Sequence, residues 1–111
     1  MNPYDLAHQL AKALSLCNEY REFKEVHELV EKDLQAKEML EDLRKKQLEV
    51  ETMRLSGKDV AEELKSLENL YNIVSFNSVL QKYLLAEQRF AVLMMDIQKI
   101  LAKAVDLDME S

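Results

Sequence analysis

Glycine and proline, the residues that most often break or turn a polypeptide chain, are almost absent from this sequence. Its 111 residues include one glycine, Gly57, and one proline, Pro3. Strand-rich folds need turn residues about every eight to twelve positions, and phosphate-binding loops need several glycines. Neither can be built from this chain. The missing breakers, together with abundant Leu, Glu, Lys and Ala, favour helix almost throughout.

Length and composition indicate a single folded domain. A chain of 111 residues corresponds to one domain. Hydrophobic residues make up 48% of it and charged residues 32%, a balance typical of globular rather than disordered proteins. We therefore expect one helical domain over residues 1–111.

The net charge of −6 disfavours nucleic acid as a direct partner, because binding to phosphates requires a basic surface. The longest basic run is Arg44-Lys45-Lys46. Glu41 and Asp42 lie one helical turn before Lys45 and Lys46, which indicates a solvated helix face with paired charges.

Cysteine use and hydropathy predict a cytoplasmic location. Cys17 is the single cysteine and cannot form an internal disulfide, and no signal peptide precedes it. Both features fit a reducing compartment. No apolar run approaches the roughly twenty residues of a membrane span, so no membrane partner is expected.

Helix caps and apolar spacing predict an all-α five-helix bundle with a long C-terminal helix and short helix–helix turns. The helices are expected at about residues 3–17, 19–32, 34–56, 60–75 and 78–105. Gly57 should end the third helix by adopting a left-handed conformation. The cap candidates, in helix order, are Asn2, Asn18, Asp33, Asp59 (with Glu62 three residues on) and either Asn77 or Ser78.

The first four helices each carry an apolar stripe at spacings of three and four residues, on which the core is expected. These stripes are Leu6, Leu10, Ala13 and Cys17; Tyr20, Phe23, Val26 and Val30; Ala36, Leu40, Leu43, Gln47 and Val50, widened by Met39 and Met53; and Val60, Leu64, Leu67, Tyr71 and Val74.

The last helix carries two apolar stripes. The main one, Leu80, Tyr83, Glu87, Phe90, Met94, Ile97, Leu101 and Ala104, is close to a 3.5-residue repeat; the second is Val79, Ala86, Leu93 and Ile100. A helix that is apolar around much of its circumference must be covered from more than one side. A second copy could supply this cover, as an intertwined or side-by-side homodimer whose interface uses the second stripe. The alternative is that the first two helices fold back over it within one chain.

Two polar residues interrupt apolar stripes. Glu87 lies between Tyr83 and Phe90, and Gln47 interrupts the third helix. Glu87 either reaches water or makes a buried contact that fixes the alignment of helices. In the second case, Gln47 and Glu87 could lie in one layer and satisfy each other, which would fix register without adding stability.

No catalytic or metal-binding set can be assembled from the sequence. His8 and His27 lie on different helices, outside any HExxH motif. The di-iron motif Glu-x-x-His is not met, because Asp5 and Lys24 stand three residues before the histidines. Cys17, on an apolar stripe, is expected to be a buried, inert thiol. We therefore expect no enzymatic activity, no cofactor and no metal.

Several segments give the chain a recognisable family pattern. They are Asn18-Glu19-Tyr20, Glu31-Lys32-Asp33-Leu34-Gln35-Ala36, Ser56-Gly57-Lys58, Asn77-Ser78-Val79-Leu80 and Tyr83-Leu84-Leu85-Ala86-Glu87-Gln88-Arg89-Phe90. With them the chain resembles the YlbF/YheA family of small bacterial helical regulatory proteins, over nearly its whole length. Members similar to YlbF have a cysteine-bearing tail linked to iron–sulfur clusters. This chain has no cysteine beyond Cys17 and stops at Ser111, which indicates the YheA-like branch.

The resemblance implies a helical homodimer with a regulatory rather than an enzymatic role. Some members act in complexes that influence RNA processing, and with it competence, biofilm formation and sporulation. The expected function is therefore that of a homodimeric adapter or regulator that contacts protein partners not yet identified. The alternative is a helical bundle that binds a small ligand or metal between its helices.

Overall fold

The computed structural model describes residues 1–106, and the regular secondary structure within them is α-helical. The helices are α1 (Pro3–Leu16), α2 (Asn18–Lys32), α3 (Leu34–Leu55), α4 (Ala61–Ser75) and α5 (Ser78–Ala104). The predicted all-α class with five helices and a long last helix is confirmed. Each helix end lies within one residue of the expected position. None of the described helices has the length and hydropathy of a membrane span.

Three predicted N-caps are confirmed by hydrogen bonds. Asn2 Oδ1 accepts from the backbone N–H of Tyr4 at 2.8 Å, and Asp33 Oδ1 accepts from that of Ala36 at 3.1 Å. Asn77, rather than Ser78, caps α5: its Oδ1 accepts from the N–H groups two and three residues on, at 3.1 and 3.0 Å. These side chains satisfy amide groups that have no partner within the helix.

The predicted cap of α2 is wrong by one residue. Asn18 is already the first residue of the helix. Cys17 precedes it with an extended backbone, and the N–H of Tyr20 lies 3.5 Å from its Sγ. The chain turns at Cys17 because α1 ends there, so the thiol occupies the position that we assigned to the asparagine. The side chain of Cys17 is half-buried rather than buried.

The turn between α3 and α4 uses the conformational freedom of glycine. Gly57 has φ +79°, and the N–H of Lys58 donates to the carbonyl of Met53 at 3.1 Å, which closes the last turn of α3. The capping box predicted from Asp59 is wrong, because α4 begins at Ala61 and the residue before it makes no side-chain cap bond. Asp59 Oδ1 instead accepts from the N–H of Ala61 at 3.0 Å.

The chain divides into two compact units, and α2 and α5 each contribute to both. One unit consists of residues 26–84 and contains most of the core: Val30, Ala36, Leu43, Val50, Val74, Leu80 and Tyr83 are buried. Within it, α3 and α4 pack against each other. The stripe predicted for α3 is confirmed, since Ala36, Leu43 and Val50 are buried and the other members are half-buried.

On α4 the buried face differs from the predicted one. Leu64 and Tyr71 are exposed, whereas Leu70, outside the predicted stripe, is half-buried together with Leu67. Two faces of this helix satisfy the same three-and-four spacing. Packing against α3 selects the face that contains Leu70 and Val74.

The second unit consists of residues 1–25 and the described residues from 85 onward. The stripe predicted for α1 is not buried: Leu6 and Ala13 are exposed and Leu10 is half-buried. Among the described residues of this unit, Ala86 alone is buried. The unit therefore presents much of its apolar surface to solvent in the single chain.

Candidate docking surface

The exposure of α5 rises along its length. Leu80 and Ala86 are buried, and Phe90 and Ile97 are half-buried. Beyond Ile97 the apolar side chains of the helix are exposed, with Ile100 68% exposed. Because apolar side chains of this size are stabilised by burial, this end of the helix is the candidate docking surface of the chain.

Apolar residues occupy more than half of the circumference of α5 near its C-terminal end. Between Val92 and Val105 only Asp96, Gln98, Lys99 and Lys103 are polar. At 100° per residue these four lie within an arc of about 160°, which also contains Val92, Met95 and Ala102, and the remaining arc is apolar. We name all the apolar residues of this segment the α5 apolar surface; its exposed members are Val92, Met95, Ile100, Leu101, Ala102, Ala104 and Val105, and its half-buried members are Leu93, Met94 and Ile97.

An aromatic cluster attaches the start of α2 to α5. The ring centroid of Phe90 lies 5.6 Å from that of Tyr20 and 6.0 Å from that of Phe23. Both separations are within the range in which aromatic rings attract. Arg89 Nη1 lies 3.4 Å from Glu22 Oε2, but both side chains are more than half exposed, so this ion pair adds little. Phe90 therefore connects these two segments through both rings.

A groove of about 450 Å³ runs beside this cluster, lined by Glu19, Gln88, Arg89, Val92, Leu93 and Asp96. Its apolar part belongs to the α5 apolar surface. Its lining includes two acidic residues, Glu19 from α2 and Asp96 from α5. The groove therefore combines apolar with polar and charged side chains, as protein interfaces usually do.

The four residues predicted for a dimer interface differ in how much of each side chain is exposed. Ile100 is 68% exposed, and Leu93 is half-buried in the lining of the groove. Val79 is half-buried, and Ala86, 5% exposed, has little surface left for a second copy. Leu93 and Ile100 are therefore the positions at which the interface prediction is best tested.

The two polar residues of the register hypothesis are both half-buried. Gln47 Oε1 accepts a hydrogen bond from Arg44 Nη1 at 3.0 Å, within α3. The shared layer of Gln47 and Glu87 stays a prediction.

In the part of the chain that the structure describes, the histidines and the cysteine belong to no metal-ligand group. Among residues 1–106, no three or more His, Cys, Asp or Glu side chains are grouped so that they could hold a metal ion. His8 is exposed, and His27 Nε2 lies 3.8 Å from Glu31 Oε1 at an exposed position.

The sequence did not predict a cleft that is lined partly by basic side chains of α3. Lys37, Arg44 and Lys45 line a cleft on α3 together with His27 and Tyr83, whereas the basic run was interpreted as a solvated face. Helical spacing shows that Lys37, Glu41 and Arg44 share a face. It does not show that His27 and Tyr83, from two other helices, border the same cleft.

Curated relatives and a solved structure are similar to this chain over most of its length. A UPF0342 protein of Caldicellulosiruptor saccharolyticus is 46% identical over 107 residues, which is 96% of this chain and 89% of that protein. A UPF0342 protein of Symbiobacterium thermophilum is 39% identical, covering 96% of each chain. A protein of unknown function (DUF964) from Bacillus stearothermophilus has the same fold, with a TM-score of 0.83 and 22% identity over 92% of this chain and 90% of that one.

A family model covers nearly all of the described chain. It is described as "Control of competence regulator ComK, YlbF/YmcA" and matches residues 4–106. This match includes every helix except the first residue of α1. It also agrees with the resemblance seen in the helix caps and in the Asn77–Phe90 segment. The chain belongs to the YlbF/YmcA family of helical proteins, which is linked to control of the competence regulator ComK.

Proposed function

We propose that this protein is a non-enzymatic, homodimeric regulator that acts in the cytoplasm through protein–protein contacts, with the α5 apolar surface as its docking site. The observation that carries the proposal is the exposure of that surface: Ile100, Leu101 and Val105 are each more than half exposed. Contiguous apolar surface of this kind marks interaction sites in folded proteins.

The exposed C-terminal end of α5 is best suited to contact with a second copy of the chain. A helix exposed on several sides needs cover along its length, and another copy offers the same apolar surface. Twofold pairing is the commonest arrangement of soluble oligomers and brings identical surfaces together. A stable interface of this kind buries about 800 Å² on each partner, which requires more of the helix than Leu93 and Ile100 alone.

Family membership supports a regulatory role for the dimer. The family is linked to control of the competence regulator ComK. We extend that link to this chain as a role in a regulatory complex that affects competence, biofilm formation or RNA processing. The acidic side of α2, with Glu19, Glu22, Glu25 and Glu28, gives such a complex a second surface, one suited to a basic partner.

The proposal is tested by recovering partners with matched variants. Tagged protein is expressed beside an untagged copy in the native cell and purified. Ile100→Asp places a charge in the α5 apolar surface; Leu48→Asp, on α3, is the control, because both side chains are 68% exposed in the single chain. We expect the wild type and Leu48→Asp to recover the untagged copy and one further protein in fixed ratio, and Ile100→Asp to lose them. Equal recovery by both variants would contradict the proposal.

A further inference from the structure

A face that mixes apolar and charged side chains runs along the C-terminal half of α5 and includes part of the groove described above. At about 100° per residue, seven residues lie within an arc of about 120°. We name them the α5 mixed face: Arg89, Val92, Leu93, Asp96, Lys99, Ile100 and Lys103. All are exposed except Leu93, which is half-buried. The members from Arg89 to Asp96 also line the groove, so the face continues the groove toward the end of the helix.

The groove end of this face is acidic. Glu19 and Asp96 contribute carboxylates to the groove lining. Arg89, a cation of the same lining, has its Nη1 3.4 Å from Glu22 Oε2, so its charge is partly balanced within the chain. The groove and the mixed face lie in one compact unit of the chain. A cation that enters the groove is therefore attracted by the carboxylates of its lining.

The far end of the face is basic. Lys99 and Lys103 lie about one and two turns beyond Asp96 along the same side of the helix. Each chain thus presents an acidic patch and, farther along the same face, a basic patch of opposite charge. Two copies can complement each other when the basic patch of one meets the acidic patch of the other.

The order of these charges decides how two such faces pair. In a parallel pair related by a twofold axis, each residue faces its own copy, so Asp96 meets Asp96 and Lys99 meets Lys99. Like charges in contact repel, which disfavours this arrangement. In an antiparallel pair centred midway between residues 96 and 99, each Asp96 faces a Lys99. The charges therefore favour the antiparallel orientation.

The same antiparallel arrangement brings Lys103 to the groove. The constant rise per residue places Lys103 of one copy level with Val92 of the other. Val92 lines the groove together with Glu19, which is half-buried. A lysine suits this position because its aliphatic stem covers apolar surface while its ammonium group meets a carboxylate. Each groove is thus completed by a residue of the other copy.

We propose that a second copy packs antiparallel on the α5 mixed face, with Asp96 of each copy paired to Lys99 of the other and Lys103 in the other copy's groove beside Glu19. This proposal rests on the homodimer proposed above and adds the orientation and register of its helices. Leu93 and Ile100 supply the apolar contact. The charges select the alignment, because polar groups in a helix interface fix orientation more than they add affinity.

Charge reversal tests the pairing of Asp96 with Lys99. Dimer dissociation constants of the full chain are measured by sedimentation equilibrium at low salt. Asp96→Lys and Lys99→Asp should each raise the dissociation constant about tenfold, because every reversal affects two symmetric pairs. The double variant Asp96→Lys/Lys99→Asp should return the dissociation constant to within about twofold of the wild-type value.

A control separates the effect between chains from the effect within one helix, since Asp96 and Lys99 are also one turn apart. Lys46 and Glu49 have the same spacing on α3, with Lys46 Nζ 3.7 Å from Glu49 Oε1, outside the mixed face. Glu49→Lys should leave the dissociation constant unchanged. Equal weakening by Glu49→Lys, or a double variant that dimerises no better than the single variants, would overturn the proposal.

Spin labels on α5 report the orientation independently of the charges. Gln88→Cys in a Cys17→Ser background carries one nitroxide per chain, and double electron–electron resonance measures the distance between the two labels of a dimer. In the antiparallel pair the two positions are about 28 Å apart along the helix axis, whereas in a parallel pair they are level.

We expect a separation between the labels of more than about 25 Å. A shorter separation in a protein that still dimerises would overturn the antiparallel arrangement and leave the homodimer standing. A wild-type protein that remains a single chain would overturn both.

Discussion

Two phenylalanines of this chain lie in opposite environments. Phe90 is half-buried and its ring packs against those of Tyr20 and Phe23. Phe76, at the C-terminal end of α4, is 89% exposed. The same side chain therefore contributes contacts at one position and almost none at the other.

Replacing each phenylalanine by alanine should separate the two environments. Phe90→Ala removes the ring shared by both aromatic contacts, so we expect it to lower the free energy of unfolding by about 2–4 kcal/mol. Phe76→Ala should change it by less than about 0.5 kcal/mol. Urea unfolding of both variants at one protein concentration gives the comparison. Losses of similar size would show that Phe90 does not connect α2 to α5 as described.

Variants of Glu87 can show whether this residue contributes to the alignment of helices or to the stability of the fold. If the half-buried carboxylate fixes the alignment of helices, Glu87→Leu should keep or raise the melting temperature, because a buried polar contact is often neutral or costly to stability. The same variant should show more than one species on sizing. Glu87→Ala serves as control and should cost little if the carboxylate reaches water. Strong destabilisation by Glu87→Leu with unchanged assembly would contradict the hypothesis.

At the scale of elements, the helices were predictable because their ends depend on local chemistry. Asn2, Asp33 and Asn77 cap helices through neighbouring amides, and Gly57 ends α3 through its own φ. Such signals are contained in a few consecutive residues. Even the Asn18 prediction was displaced by only one residue.

Which face of a helix is buried was less predictable, because it depends on the neighbouring helix. Residues 60–75 carry two faces with the same spacing, and Leu70 is half-buried whereas Tyr71 is exposed. The candidate docking surface was partly predicted, since Leu93 and Ile100 came from the second stripe of the last helix. The cleft with Arg44 was missed because it joins residues from three helices, a proximity that periodicity does not encode.

At the scale of the whole molecule, large apolar side chains are exposed on all five helices, among them α1 and the C-terminal part of α5. No residue of α1 is buried, and Ile100, Leu101 and Val105 are exposed. Burial of this surface would contribute about 25 cal/mol for each Å² removed from water. A second copy that covers the end of α5 would therefore stabilise both chains.

Sedimentation equilibrium at micromolar concentration tests the pairing of two chains most directly. We expect the wild type and Leu48→Asp to sediment at twice the 13.0 kDa of one chain. Ile100→Asp should sediment as the single chain or unfold, because an unpaired charge buried in an interface costs several kcal/mol. A wild-type protein that sediments as a stable 13.0 kDa species would contradict the account.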